Sequence, residues 1–331
     1  MTMSCLIRCA VLGASLLIAA GSALAQPAAA SAGPAWPVRP IRLLVGYSAG
    51  GGVDAMARLI APRLSAQLGQ QVIVDNRAGA SGSIAADAVA KATPDGYTLF
   101  LGDSATLIAQ HMQARLPFDP IKSFTPVAGM FSMPLVIVTG NDFPAKTPRE
   151  FVAALRANPG KYSFGSSGVG TVQHLGFEMM KAQTGSFVVH IPYRGAAQIV
   201  PDVISGQVPI GVVSATAALA QARAGKLKAV AIMSPVKLAG ADDLQSLSTA
   251  LPGFDVAPRL FLLAPAGLPQ PIADRLGEAA RTVMSAPDMA PAAAAQGAVP
   301  AFIAGPALGA SLAEESARWA QVIRSQKISA E

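Results

Sequence analysis

An α/β fold of parallel sheets covered by helices, arranged as two lobes, follows from three features of the chain. From Trp36 onward, short Val/Ile/Leu-rich runs alternate with helical patterns, as expected for strands covered on both faces. About 300 residues follow an N-terminal leader, more than one hydrophobic core usually organises, so two α/β lobes are expected. Two glycine-rich strand-to-helix junctions stand far apart in the chain, at residues 46–54 and 163–171. Both fall at the carboxyl ends of strands, where ligands of open α/β sheets gather.

The leader comes first. Residues 1–25 carry one early cation, Arg8, an apolar run from Ala10 to Ala20, and the small-residue ending Ala23-Leu24-Ala25. This is the pattern of a secretory signal peptide cleaved after Ala25, and the run is too short for the roughly 20 apolar residues that a membrane span needs. Cys5 and Cys9 both lie inside it, so the mature chain is expected to hold no disulfide, thiolate metal site or cysteine nucleophile. Cleavage removes one cation and no acid, so the net charge of +6 falls to about +5. The remaining cations are scattered singly, without the basic clusters and interleaved aromatics of a nucleic-acid surface. Residues 26–35 form an Ala/Pro/Ser tether without periodicity.

Strands are expected over 41–45, 72–75, 97–101, 135–139, 162–165, 188–191, 209–213, 229–233 and 260–264. After the first strand, Met56, Leu59, Ile60, Leu64 and Leu68 hold helical spacing on one face, with Pro62 expected to kink the helix. Thr147-Pro148-Arg149-Glu150 reads as a capping box with proline at the first helical position, opening a helix through Phe151 and Leu155. The Ala-rich region from Pro269 onward reads as two or three helices, the last carrying Leu312, Trp319 and Ile323.

The two junctions carry the chemistry. The first N–H groups of a helix have no intrahelical partner, the macrodipole adds partial positive charge, and glycines let a ligand approach the backbone. The sequence Tyr47-Ser48-Ala49-Gly50-Gly51-Gly52-Val53-Asp54 opens one helix; Ser166-Ser167-Gly168-Val169-Gly170-Thr171 opens another. In separate lobes, they are expected to face one another across a cleft.

A series of motifs then makes a resemblance specific. Trp36-Pro37-Val38-Arg39-Pro40-Ile41, the 50–54 loop, Val74-Asp75-Asn76-Arg77-Ala78-Gly79-Ala80, Pro94-Asp95-Gly96-Tyr97-Thr98-Leu99 and the 166–171 loop with His174-Leu175 come in order. His190-Ile191-Pro192-Tyr193-Arg194-Gly195, Gly206-Gln207-Val208, Ala224-Gly225-Lys226-Leu227 and Ala264-Pro265-Ala266-Gly267 follow. The ordered set resembles the Bug-type solute receptors of tripartite tricarboxylate transporters over nearly the whole mature chain. The resemblance implies a periplasmic receptor of the two-lobed, type II-like periplasmic-binding-protein fold. It would close on a small carboxylate and deliver it to integral-membrane transporter subunits, as a monomer without cofactor. Lobe 1 is then expected over 36–137 plus 261–331 and lobe 2 over 138–260.

Carried over by position, Tyr47, Ser48, Gly50, Gly51, Gly52 and Asp54 form one wall, and Ser166, Ser167, Gly168, Gly170, Thr171 and His174 the other. Tyr193, Gly195 and Ala196 would meet a distal ligand group, and Ser104 and Ser214 are further candidate contacts. Asp54 is open between touching the ligand and capping its own helix; His174 between donating to an anion and packing. Ser48-Ala49 stands where the family usually has Pro-Pro, no acid lies between Pro209 and Ser214, and Arg259 falls beside the place of a usual tryptophan. These departures favour a dicarboxylate or aromatic carboxylate, with Arg259 either meeting a second negative group or solvated outside the cleft.

Other classes leave weaker traces. Gly50 to Ala55 fits G-x-G-x-x-A, with Asp75 about 20 residues on, which imitates a dinucleotide fingerprint but begins four residues past the strand. Residues 165–169 lack the final glycine of a G-x-S-x-G elbow, and His111, His174 and His190 have no metal-ligand spacing. A carboxylate-sensing receptor for a signalling system would leave the same binding sequence.

Overall fold

The computed structural model describes residues 36–113, 115–193 and 198–329. The leader and tether at 1–35, and the candidate contacts Gly195 and Ala196, lie outside the described residues. Eleven strands were found among them: β1 Ile41–Val45, β2 Val72–Asn76, β3 Thr98–Asp103, β4 Phe124–Ser132, β5 Leu135–Thr139, β6 Ser163–Ser166, β7 Val189–Pro192, β8 Ile210–Ser214, β9 Lys228–Ile232, β10 Arg259–Pro265 and β11 Val299–Ala304. The α-helices are α1 Gly52–Leu68, α2 Ser83–Ala90, α3 Ser104–Met112, α4 Pro148–Ala157, α5 Val172–Thr184, α6 Ile199–Ser205, α7 Ala215–Arg223, α8 Gln270–Met284, α9 Met289–Ala294 and α10 Gly305–Ser325. Among the described residues no helix is long and apolar enough to cross a membrane.

The strands form two sheets, ordered β2-β1-β3-β10-β4-β11 and β7-β6-β8-β5-β9. Both are built on one plan. Three parallel strands in the order second-first-third, β2-β1-β3 and β7-β6-β8, adjoin an antiparallel strand that arrives from the other sheet, β10 in one and β5 in the other. The sheets are therefore mixed rather than mostly parallel, because a strand entering across the cleft runs against its neighbours and needs no covering crossover helix.

Each expected strand exists, with ends shifted by at most two residues; β4 and β11 were not foreseen. Pro126 and Gly129 in β4 and Pro300 in β11 argue against strands. The ladders accommodate them at register shifts, between Leu262 and Leu263 opposite Pro126 and between Pro300 and Ile303 in the outermost strand. Helix α1 is continuous through Pro62. The capping box at α4 forms as read: Glu150 N–H donates to Thr147 Oγ1 at 3.3 Å, and Thr147 N–H to the Glu150 carboxylate at 3.3 Å.

Period-two alternation explains how the second sheet is buried on both faces. Leu135 and Ile137 of β5 pack with Phe151, Phe164 and Phe177 on one side, whereas Val136 and Val138 pack with Ile199, Val203 and Val213 on the other. Leu44, Phe100, Phe261, Leu308 and Leu312 share a core against the first sheet.

The chain passes between sheets at Met133-Pro134 and again before Arg259, where Met133 N–H donates to the Pro258 carbonyl at 2.8 Å. The expected lobe limits at 137/138 and 260/261 fall inside β5 and β10, each hydrogen-bonded within one sheet along its length. Nor does the C-terminal segment keep to lobe 1. Leu308 and Leu312 of α10 join the core of the first sheet, and Trp319, Val322 and Ile323 join that of the second. These positions recur at helical spacing, so one stripe of a 21-residue helix serves both lobes.

Candidate functional site

A cleft of about 530 Å³ lies between the sheets. Tyr47, Gly52, Val53, Ser81, Asp103 and Ala105 line it from the first lobe; Ser167, Val169, Gly170, Thr171, Val172, Gln173, Ser214 and Thr216 line it from the second. Met133, Leu135 and Pro258 belong to the crossings, and Met112, Gln113 and Gln296 complete much of the remaining wall. The opening residues of α1, α3, α5 and α7 all meet here. Four helix N-termini thus direct partial positive charge into a cleft whose described lining holds no Lys, Arg or His.

The first jaw is shaped from below by Asp54. Its carboxylate accepts from Gly50 N–H at 2.8 Å, Asn76 Nδ2 at 2.9 Å and Arg58 Nε at 2.9 Å, and Asn76 Nδ2 also donates to the Tyr47 carbonyl at 3.0 Å. Burial alone would raise the Asp54 carboxyl, but these donors outweigh it and hold the group below its ordinary value. Asp54 is therefore a buried tie within the loop; Gly51, not Asp54, occupies the N-cap. Ser48, Gly50 and Gly51 are exposed at the loop tip, outside the cleft lining.

Beside this loop runs a third junction that the sequence reading passed over. Gly46 approaches Gly82 so closely that a Cβ on Gly46 would lie 2.4 Å from the Gly82 Cα. Ala80 and Ser81 adopt φ of 47° and 53°, and Ser81 reaches the cleft. Glycines between a strand and a helix at 79–82 were the available signal.

The second jaw is tied internally. Ser166 Oγ accepts from Gly168 N–H at 3.2 Å and lies 2.7 Å from His190 Nε2; Thr171 Oγ1 donates to the Gly168 carbonyl at 2.8 Å and receives His174 N–H at 3.3 Å. Gly170, at φ 76°, donates its N–H to His174 Nδ1 at 3.2 Å. His174 and His190 stack with centroids 3.8 Å apart. Burial first, then His190 and Lys181, pull His174 down to about 3; burial and Lys181 pull His190 down to about 4. Both rings are thus neutral near pH 7. His174 supports the loop from beneath and leaves the cleft to Ser167, Gly170 and Thr171.

The remaining candidates are engaged elsewhere, except Ser214. Tyr193 donates to Asp202 at 2.8 Å; burial and that carboxylate push its phenol to about 12. Ser104 Oγ accepts Arg259 N–H at 3.0 Å and is fully buried. Ser214 caps α7 through Ala217 N–H at 3.4 Å and also lines the cleft. Arg259 does not reach the cleft lining: its Nε donates to Glu315 at 2.7 Å and its Nη1 to Ser311 at 2.8 Å, both on α10. Asp75, the residue of the dinucleotide-like pattern, is paired with Arg42 and Arg77.

One cleft residue not foreseen is Asp103, the last residue of β3. It accepts from Tyr47 Oη at 2.6 Å. Burial drives its carboxyl up to about 6, with Glu315 acting in the same direction and the Tyr47 hydroxyl and the backbone at the start of α3 opposing. Burial and Asp103 raise Tyr47 well above its ordinary value. Its position at a strand's carboxyl end, before a helix, was the signal in the sequence.

The family model described as the tripartite tricarboxylate transporter family receptor matches residues 56–328. The protein BugT of Bordetella pertussis is 32% identical over 292 residues, covering 87% of this chain and 90% of that one. A solved R. palustris protein with adipate is 29% identical at TM-score 0.77, covering 89% of this chain and 99% of that chain. MatC of Rhodopseudomonas palustris with bound malate is 29% identical at TM-score 0.71, covering 87% and 100%.

Proposed function

The chain belongs to the tripartite tricarboxylate transporter receptor family, and from that membership we propose that it is an exported, non-enzymatic receptor. It captures a small carboxylate between its lobes and presents it to the membrane subunits of a transporter. The observation that carries the reading is the meeting of four helix N-termini at one interlobe cleft. Unpaired N–H groups at helix starts are suited to a carboxylate, and the dipoles favour the anion without a fixed cation. Among the described residues, no hydrogen-bond partner was found for the N–H groups of Gly52 and Val53 in α1 or of Val172 and Gln173 in α5. All four residues line the cleft.

The cleft volume suits a small organic acid, and the adipate and malate complexes of the two relatives favour a dicarboxylate. An acid touching both lobes stabilises the closed arrangement by its differential contacts, and a partner then reads the lobe geometry. Calorimetry with adipate, malate and matched monocarboxylates tests the reading, with X-ray scattering on the same samples. Saturable binding accompanied by compaction is expected. Binding without any change in scattering would remove closure from the account, and no binding across the panel would remove the receptor role.

A further inference from the structure

Among the described cleft-lining residues, Tyr47 and Asp103 alone carry ionisable side chains. The one group there able to hold a full charge near pH 7 is therefore a carboxylate, in a cleft read as taking a carboxylate. Two carboxylates sharing one site repel, so both cannot remain ionised side by side without a penalty. The Tyr47 hydroxyl hydrogen is also committed to Asp103 Oδ2, 2.6 Å away, and so is turned from the cleft's anion.

Resting on the carboxylate reading, we propose that Asp103 becomes protonated as the acid binds, so that capture takes up one proton from solution. The proton adds to the Asp103 carboxylate, and no bond of the ligand is made or broken. The resulting O–H donates to Tyr47 Oη, reversing the existing hydrogen bond. The Tyr47 hydroxyl hydrogen is thereby released to point at the ligand carboxylate. One protonation removes a repulsive charge and supplies a donor.

The groups around Asp103 act in opposite senses, Tyr47 favouring the ionised form through its hydrogen bond and burial with Glu315 favouring the protonated one. Tyr47 faces it from the loop after β1, and Glu315 from α10 adds negative charge that disfavours its ionised form. Glu315 is itself held by Arg259 of β10 and by Trp319 Nε1 at 3.2 Å. His111 of α3 is turned to Ser316 of α10, at 3.0 Å. The second lobe presents no titratable side chain to the cleft among its described lining residues. Burial already holds the Asp103 carboxyl at about 6. A neighbouring anion raises a carboxyl further, which favours its protonated form on binding.

The test is calorimetry of the full mature chain with adipate and malate in buffers of different ionisation enthalpy. Wild type is expected to take up about one proton per acid bound near pH 7, with Kd rising about tenfold per pH unit between about 6.5 and 7.5. In Asp103→Asn the amide stands in for the protonated acid. It is expected to bind without proton uptake, with a flat pH profile, and about thirtyfold tighter than wild type at pH 7.5. Tyr47→Phe is expected to weaken binding at every pH by removing the released donor. Wild-type binding with no proton uptake overturns the proposal and leaves the receptor reading intact. So does a folded Asp103→Asn that no longer binds, since the ionised carboxylate would then be meeting a donor on the ligand. Should Asp103→Asn fail to fold, the wild-type buffer series decides alone. Failure of every acid to bind overturns both readings.

Discussion

The side chain of Arg259 shows how a single residue changes meaning once its surroundings are known. A cation beside a carboxylate cleft invites a role with the ligand, yet its guanidinium serves Glu315, which is 4% exposed, and Ser311. Truncating one member of such a pair leaves the other charge buried, which costs about 3 kcal/mol or more. Arg259→Ala is therefore expected to lower the urea midpoint strongly while leaving the preference between mono- and dicarboxylates unchanged in calorimetry. Asp103 makes the opposite case, a buried carboxyl with a raised value of about 6. A folded-state value above the unfolded one near 3.9 means that the native state holds the proton more tightly. Its contribution is thus greatest below about pH 4, fades as pH rises to about 6, and is gone above that. Compared with wild type without ligand, Asp103→Asn is expected to gain up to about 3 kcal/mol in chemical denaturation between pH 4 and pH 7.

At the scale of elements, the site rests on strand-to-helix junctions and on how tightly they stack. The junction at Gly46 is packed against Gly82, backbone on backbone, and a methyl group there has no flexible side chain to push aside. Gly46→Ala is expected to destabilise the fold by about 3 kcal/mol, in the range of overpacked cores, and to displace Ser81 and Tyr47 together. Thermal melts and acid affinity measured on the same variant check both halves. Junctions were legible in the sequence where glycines and serines follow an apolar run, as at 46–54 and 163–171. Local pattern failed at β4 and β11, because Pro126, Gly129 and Pro300 violate strand preferences that the neighbouring ladders override. It also failed to rank the residues within a junction. Ser48, Gly50 and Asp54 carry the motif, but Asp54 holds the loop from beneath while Tyr47, Gly52 and Val53 reach the cleft.

At the scale of the whole molecule, two sheets of one plan are joined by two crossings and by α10, which contributes Leu312 to one core and Trp319 to the other. Near the cleft the lobes touch where Gly297 meets α7; a Cβ on Gly297 would lie 2.4 Å from Thr216 Oγ1 and 3.2 Å from the Thr216 nitrogen. Its φ of 73° adds strain to any substitution. Gly297→Ala is expected to hold the lobes apart, weakening acid affinity at least tenfold and enlarging the radius of gyration with ligand present. An unchanged scattering profile and affinity would show that this contact is not needed for closure.

The order of apolar runs, caps and glycine-rich junctions sufficed to specify an α/β chain of two lobes with loops at strand ends. Those signals are local: hydrophobic periodicity, cap chemistry and backbone freedom are written in neighbouring residues. Which strands pair, where the chain passes between sheets, and which side chains face the cleft depend on contacts between distant segments. Asp103 meets Tyr47 across 56 positions, and Arg259 meets Glu315 across another 56. Burial and charge pairing at that range turned an unremarked aspartate into the one carboxyl among the described cleft-lining residues and a candidate ligand contact into a tie between strand and helix.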